Sequence, residues 1–147
     1  MIVGFTGTRD GLSHLQRFRL RRLLLDELQI VEAHHGNCIG ADSVFAEFVY
    51  PQVHTVAHPC NLTGFQLTRT TAHEYRGALP PLERNRVIVD ACDLLIACPL
   101  KMVEERRSGT WAAVRYAREK AKPIRIIYPD GTMVIETPGE EPVRLED

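Results

Sequence analysis

Ile2-Val3-Gly4-Phe5-Thr6-Gly7-Thr8-Arg9-Asp10-Gly11 runs from an apolar stretch into a turn bounded by glycines, and Ser13 follows two residues later. The apolar part, Ile2–Phe5, suits a buried strand. Ser13 and Gln16 have capping-box spacing, so the next helix is expected to start near His14. Within Leu12–Leu28, Leu20, Leu23, Leu24 and Leu28 recur at helical spacing. The chain therefore opens with a strand, a glycine turn and a capped helix.

Working outward, the same alternation continues. Val31–His35 reads as a second strand. Ala41, Val44, Phe45, Phe48 and Val49 follow the i, i+3, i+4, i+7, i+8 rule of an amphipathic helix. Val53–Ala57 is the third strand, and residues 59–79 form a long polar loop with two glycines. Pro80 and Pro81 open the third helix, because proline is tolerated in a first turn. Leu94–Ala97 is the fourth strand, Ser108–Ala121 the fourth helix and Ile124–Tyr128 the fifth strand. Pro129-Asp130-Gly131 is a turn signal. Met133–Ile135 reads as a short edge strand, and the acidic end beyond it is expected to fray.

Strand–helix alternation predicts the α/β class: one domain with a doubly wound, Rossmann-like parallel sheet covered on both faces. Right-handed crossovers leave only a few strand orders. Ligands of such sheets bind beyond the carboxyl ends of the strands, where the order reverses. This points to the loops after the first, second and fourth strands.

Composition narrows the classes further. The chain has 147 residues, 44% hydrophobic and 25% charged, enough to bury a core without disulfide staples. No apolar run reaches membrane-spanning length. The MIVGFTGTRDG segment has neither a basic n-region nor a small-residue cleavage site, so no leader and a cytoplasmic protein are expected. Cys38, Cys60, Cys92 and Cys98 show no CxxC spacing and read as reduced thiols. The formal net charge is −1, divided into −5 over residues 130–147 and +4 over the rest. Residues 1–131 are therefore taken as the domain and 132–147 as an acidic C-terminal segment. A surplus of four, mostly arginine, suits phosphate or carboxylate but is too small to argue for duplex nucleic acid.

Three strand-end loops carry residues suited to an anion or a nucleoside. After the first strand, Gly7 and its neighbours let backbone approach a ligand closely, Thr8 follows, and Arg9 adds a mobile cation. The next helix offers free N–H groups and a partial positive charge. A plain glycine turn is the alternative. The segment lacks G-x-G-x-x-G, and the second strand ends in His34-His35 rather than in an acid for a ribose, so no NAD-type or ATPase function is expected. After the second strand, Gly36 to Gly40 lead to Asp42, which either bonds a ribose or base or caps its own helix. At the start of the third helix, Asn85 shares a face with Ile88 and Cys92. A polar side chain there needs a partner, either ligand or backbone. After the fourth strand come Pro99, a charged loop from Leu100 to Arg107, and Ser108-Gly109-Thr110, a second phosphate cradle. The loop reads either as a lid or as mobile surface. The stripe Thr110, Ala113, Val114, Ala117, Ala121 reads as close helix-on-sheet packing.

His34, His35, His58 and His73 do not fall at metal-ligand spacing, and with Cys38 and Cys60 they match no zinc pattern, so no metal site is expected. His58-Pro59, at the end of the third strand, is placed at the border of the pocket. No nucleophilic triad can be read from spacing.

Taken in order, Gly4-Phe5-Thr6-Gly7-Thr8-Arg9, Gly36 to Asp42, Glu83-Arg84-Asn85-Arg86 through Pro99, and Arg107-Ser108-Gly109-Thr110-Trp111 resemble the SLOG superfamily. This Rossmann-like group includes DNA-processing protein A and the Lonely Guy phosphoribohydrolases, and the likeness is greatest to its small bacterial and phage members. The motifs span nearly all of residues 1–131. The resemblance implies a sheet ordered 3-2-1-4-5 and a nucleotide pocket above the first and fourth strands. It places Arg84 where the Lonely Guy enzymes carry a catalytic arginine. Their P-G-G-x-G-T-x-x-E signature ends in a catalytic glutamate, whereas Gly109-Thr110-Trp111-Ala112 is followed here by Ala113. Alanine can neither stabilise an oxocarbenium-like centre nor donate a proton. Glu83, Glu104 or Glu105 would have to substitute, leaving Arg84 and Glu83 as the catalytic candidates.

Three functions follow in order. The first is binding of a nucleotide or nucleotide-derived small molecule through Gly7, Thr8, Arg9, Gly40, Asp42, Arg84, Asn85, Pro99, Ser108, Gly109 and Thr110. The second is a nucleotide N-glycosidic hydrolase or transferase, phosphoribohydrolase- or deoxyribosyltransferase-like. Single-stranded DNA binding ranks last, because aromatics are only 7% and no basic–aromatic run appears. No cofactor and no membrane partner are expected. The resemblance implies a homodimer formed through helices. Phe18 and Leu25 make a second apolar edge that either faces such a partner or packs under the terminal segment.

Overall fold

The computed structural model describes residues 1–146. Strand β1 (Ile2–Gly7) leads to α1 (His14–Arg22), which continues as a π-helical turn, Leu23–Glu27. Then come β2 (Glu32–His35), α2 (Ala41–Val49), β3 (His54–Ala57) and β4 (Glu74–Tyr75). The second half holds α3 (Pro81–Ala91), β5 (Leu94–Cys98), α4 (Gly109–Glu119), β6 (Ile124–Ile127), β7 (Met133–Glu136) and β8 (Val143–Leu145). Among the described residues, no helix is long and apolar enough to cross a membrane.

The strands form one sheet, ordered β4-β3-β2-β1-β5-β6-β7-β8. Pairs from β4 to β6 are parallel; β7 and β8 add antiparallel strands at one edge. The stretch β3-β2-β1-β5-β6 is the doubly wound 3-2-1-4-5 order that the family resemblance implies, with β4 added beside the third strand. Strand periodicity divides the core in two. Val3, Phe5, Leu94 and Ile96 pack with Leu20, Leu23 and Phe45 of the α1–α2 layer. Leu95, Ala97, Ile124 and Ile126 pack with Val89, Trp111 and Val114 of the α3–α4 layer. Phe5 and Phe45 stack with centroids 4.6 Å apart, which fixes α2 against β1.

The capping box forms as its spacing requires. Ser13 Oγ accepts the Gln16 N–H at 3.0 Å, and Gln16 Oε1 accepts the Ser13 N–H at 3.1 Å. The same buried glutamine donates Nε2 to the carbonyls of Pro99 (2.7 Å) and Ile127 (3.0 Å), tying α1 to the ends of β5 and β6. Three details differ from the sequence expectation. The first helix keeps α geometry only to Arg22; beyond it the Leu28 N–H reaches back five residues to the Leu23 carbonyl at 3.0 Å. The polar loop contains β4, because Glu74 and Tyr75 pair with Val56 and Ala57. The acidic end, read as a frayed tail, pairs Val143–Leu145 with β7. Phe18 and Leu25 stay 57% and 50% exposed, so this edge is not covered by the described terminal segment.

Candidate functional site

Strand order reverses between β1 and β5, so the loops leaving their carboxyl ends diverge and open a cleft. The cleft holds about 540 Å³, the size of small-molecule sites. Gly7, Thr8, Arg9 and Asp10 form one wall, and Gly36, Cys38, Ile39 and Asp42 a second. Arg84, Asn85 and Ile88 come from α3; Glu105, Ser108, Gly109 and Thr110 close the remaining side.

The first wall is held by α2. Gly40 precedes that helix at φ +89°, and a Cβ there would lie 2.3 Å from the Arg9 carbonyl oxygen. The Ala41 N–H donates to the Thr8 carbonyl at 2.9 Å. Arg9 is thus placed by its backbone, while its side chain stays exposed. Its guanidinium carbon lies 4.1 Å above the Phe65 ring centroid, a cation–π contact. Phe65 is fixed in turn by a short ladder between the two loops. The Ile39 N–H donates to the Phe65 carbonyl (2.8 Å) and the Leu67 N–H to the Asn37 carbonyl (2.9 Å).

The second wall is filled from within the protein. Arg84 is only 8% exposed. Its Nη1 donates to the carbonyls of Gly36 (2.7 Å) and His58 (3.0 Å), and its Nε to Asn85 Oδ1 (2.8 Å). Glycine at position 36 leaves room for this approach, since a Cβ would stand 2.6 Å from Nη1 and displace it. Asp42 is also buried and accepts the Cys38 N–H at 3.1 Å. Burial pushes its carboxyl above the usual range, while the Arg84 charge and the hydrogen bond from the Cys38 N–H pull the other way. Asp42 therefore caps the preceding loop rather than its own helix, whose cap residue is Gly40. Arg84 lines the cleft, and its Nη2 donates to no protein atom among the described residues.

At the third side, Ser108 caps α4 by accepting the Trp111 N–H at 3.3 Å. The amides of Gly109 and Thr110, in the first turn, have no acceptor among the described residues. They present the positive end of the helix to the cleft. Arg9 and Arg84 are balanced there by Asp10, Asp42 and Glu105.

Behind the second wall lies a set of histidines that spacing does not reveal. His35 is fully buried, accepts the Asn37 N–H on Nδ1 (2.9 Å) and faces the Thr71 carbonyl with Nε2 (3.1 Å). Those partners fit a neutral ring with its proton on Nε2, and burial lowers its pKa. His34 sits between His58 Nε2 and Glu32 Oε2, 2.7 Å from each. Burial, then the neighbouring His34, lowers His58 to about 3. Among the described residues, no group of three or more metal-ligating side chains is arranged to hold an ion.

No protein-family model matches the chain, and no curated protein matches it significantly in sequence. Solved structures do. The molybdenum cofactor binding protein of Rippkaea orientalis superposes with a TM-score of 0.60 at 18% identity, over 88% of this chain and 77% of that one. The crystal structure of TM1055 gives 0.58 at 13%, over 84% and 71%. DNA processing protein A of Helicobacter pylori, which binds single-stranded DNA, gives 0.57 at 20%, over 86% of this chain and 64% of that one. The fold is a Rossmann-like one, shared with these structures.

Within this Rossmann-like fold, the cleft gathers Gly7, Thr8, Arg9, Asp42, Arg84, Asn85, Ser108, Gly109 and Thr110 from four separate motifs. Three expected residues fall outside its wall. Gly40 acts by letting α2 approach Arg9. Pro99 is buried, with its carbonyl occupied by Gln16. Glu83 is exposed on α3, one helical step away from Arg84. His58 offers the site only its carbonyl, because its ring turns to His34. Ala113 packs in the α4–sheet core, whereas Glu105 lines the cleft. Glu104 is engaged by Arg115 (2.9 Å) and Arg118 (3.3 Å). The charged loop is fastened, since Arg115 also donates to the carbonyls of Glu105 (3.4 Å) and Arg106 (3.1 Å). Phe65 carries no signal in the sequence beyond being an aromatic residue in a polar loop.

Proposed function

We propose that the chain binds a nucleotide or nucleotide-derived ligand in the cleft above β1 and β5. One observation carries this: donors with no protein acceptor converge there from three elements. They are the Gly109 and Thr110 amides, Arg84 Nη2 and the Arg9 guanidinium. Helix-terminal amides and a guanidinium are the natural partners of a phosphate. Thr8, Asp10 and Asn85 suit hydroxyl groups beside it. Two structures sharing the fold are a molybdenum cofactor binding protein and a single-stranded-DNA-binding protein, which supports a ligand-binding role.

Native mass spectrometry after incubation with a panel of nucleotides and cyclic nucleotides tests the proposal. An intact ligand held at one per chain is expected. Arg84→Ala should abolish retention, with a thermal melt run alongside because Arg84 also ties Gly36 to His58. Failure to retain any member of the panel would refute the binding reading.

A second reading is an N-glycosidic hydrolase or transferase, favoured by Glu105, the carboxylate that the charged loop brings to the cleft. It predicts free base in the same incubations and its loss in Glu105→Gln. Single-stranded DNA binding is the weakest, since two cations against three acids do not make a basic groove. Retention on a DNA column that weakens steeply with salt would restore it.

A further inference from the structure

We infer that Arg9 and Phe65 form a stacking platform for the planar base of the ligand, leaving its phosphate to α4 and Arg84. This rests on the nucleotide-binding reading and assigns its parts. The two side chains come from loops far apart in sequence and meet on one wall of the cleft. Both are placed before any ligand arrives. Gly40 and Ala41 hold the Arg9 backbone, and the ladder to Asn37 and Ile39 holds Phe65.

Arg9 has no ion-pair partner among the described residues; the adjacent Asp10 is engaged with Thr8 through its N–H (3.1 Å) and its carboxylate (3.3 Å). The guanidinium is flat, weakly hydrated on its faces, and already lies on one ring. Arg9 is exposed and lines the cleft, so a nucleobase can add a third layer on the side away from Phe65. A phosphate at the same point would meet the Asp10 charge, whereas the α4 amides and Arg84 Nη2 offer it donors elsewhere. Ile39 beside Phe65 adds apolar surface suited to a base and useless to a phosphate.

The test compares ligands with and without a base. Affinities of four nucleoside 5′-monophosphates and of ribose 5-phosphate are measured for wild type, Arg9→Lys and Phe65→Leu. Arg9→Lys keeps the charge and removes the flat face. Both variants should weaken nucleotides roughly tenfold, the scale of a lost stacking contact, and leave ribose 5-phosphate within about twofold. An equal loss for both ligands in either variant, or no loss at all, overturns the platform. Should ribose 5-phosphate bind too weakly to compare, NMR of the bound nucleotide decides: NOEs from the base protons to the Arg9 side chain are expected in wild type, and their absence also overturns the inference. If wild type binds none of the nucleotides, the nucleotide-binding reading itself fails, and the platform with it.

Discussion

The loops after β1 and β2 look alike as sequence and behave differently in the fold. Each carries glycines, each leaves a central parallel strand and each enters a helix. The first keeps its side chains outside: Arg9 lies on Phe65 and makes no ion pair among the described residues. The second is occupied by the protein itself, with Arg84 on the Gly36 carbonyl and Asp42 on the Cys38 amide. Glycine permits close approach, and the approaching group can be an internal arginine as readily as a ligand. What tells the loops apart is whether a buried charge comes from another element, here α3.

The sharpest way to break this comparison is to add one methyl group to each loop. In Gly36→Ala the new Cβ would meet Arg84 Nη1 at 2.6 Å and Asp42 Oδ2 at 2.9 Å. Displacing a buried charge from its partners costs about 3 kcal/mol. Gly11 has φ +92° and nothing within 4 Å of an added methyl, so Gly11→Ala meets only backbone strain, about 1 kcal/mol. Urea unfolding of the two variants measures both. Equal losses would mean that the second loop is no more tightly filled than the first.

The next effect is titration behind the second loop. His58 falls from an ordinary 6.5 to about 3 in the fold, and His35 is lowered as well. The unfolded chain therefore takes up protons that the fold refuses. This contribution to stability is complete above pH 6.5 and is lost as pH falls toward the folded value. Asp42 has the opposite sign, since its raised folded pKa favours protonation in the fold and gains stability as pH falls. Two imidazoles outweigh one carboxyl at the upper end of the window, where the histidines titrate first. Urea midpoints should drop between pH 7 and pH 5, and His58→Gln should flatten that slope. An unchanged slope in the variant would remove His58 as its source.

Much of this was legible because it is local. Ser13 and Gln16 announced their cap by spacing, and alternation of apolar runs was enough for β1, β2, β3, β5, β6 and β7, but not for β4 or β8. Asn85 was marked by its polar amide on an apolar helix face; the backbone partner is Gly109, whose carbonyl accepts Nδ2 at 3.3 Å. The unread parts depend on pairs brought together by topology. His34 and His58 touch only because β2 and β3 are adjacent and their ends coincide. Phe65 reaches the cleft through two backbone bonds from a loop without periodicity. Pro99 and Gly40 lay at the right strand ends, yet contribute a carbonyl to Gln16 and a close approach to Arg9 rather than surface to the cleft.

The smallest effect tests the open loop. Thr8 accepts the Asp10 N–H at 3.1 Å and bonds its carboxylate at 3.3 Å, both exposed to water. Hydrogen bonds that water can replace contribute little, so Thr8→Ala should cost no more than about 0.5 kcal/mol in urea unfolding. The same change removes a hydroxyl from the cleft wall and frees Asp10 beside Arg9, so it should weaken nucleotide retention severalfold. A stability loss above about 1.5 kcal/mol, comparable to leaving a buried group unpaired, would mean that the first loop too is built around its own contacts. The distinction between a loop kept for a ligand and a loop kept for the fold would then disappear.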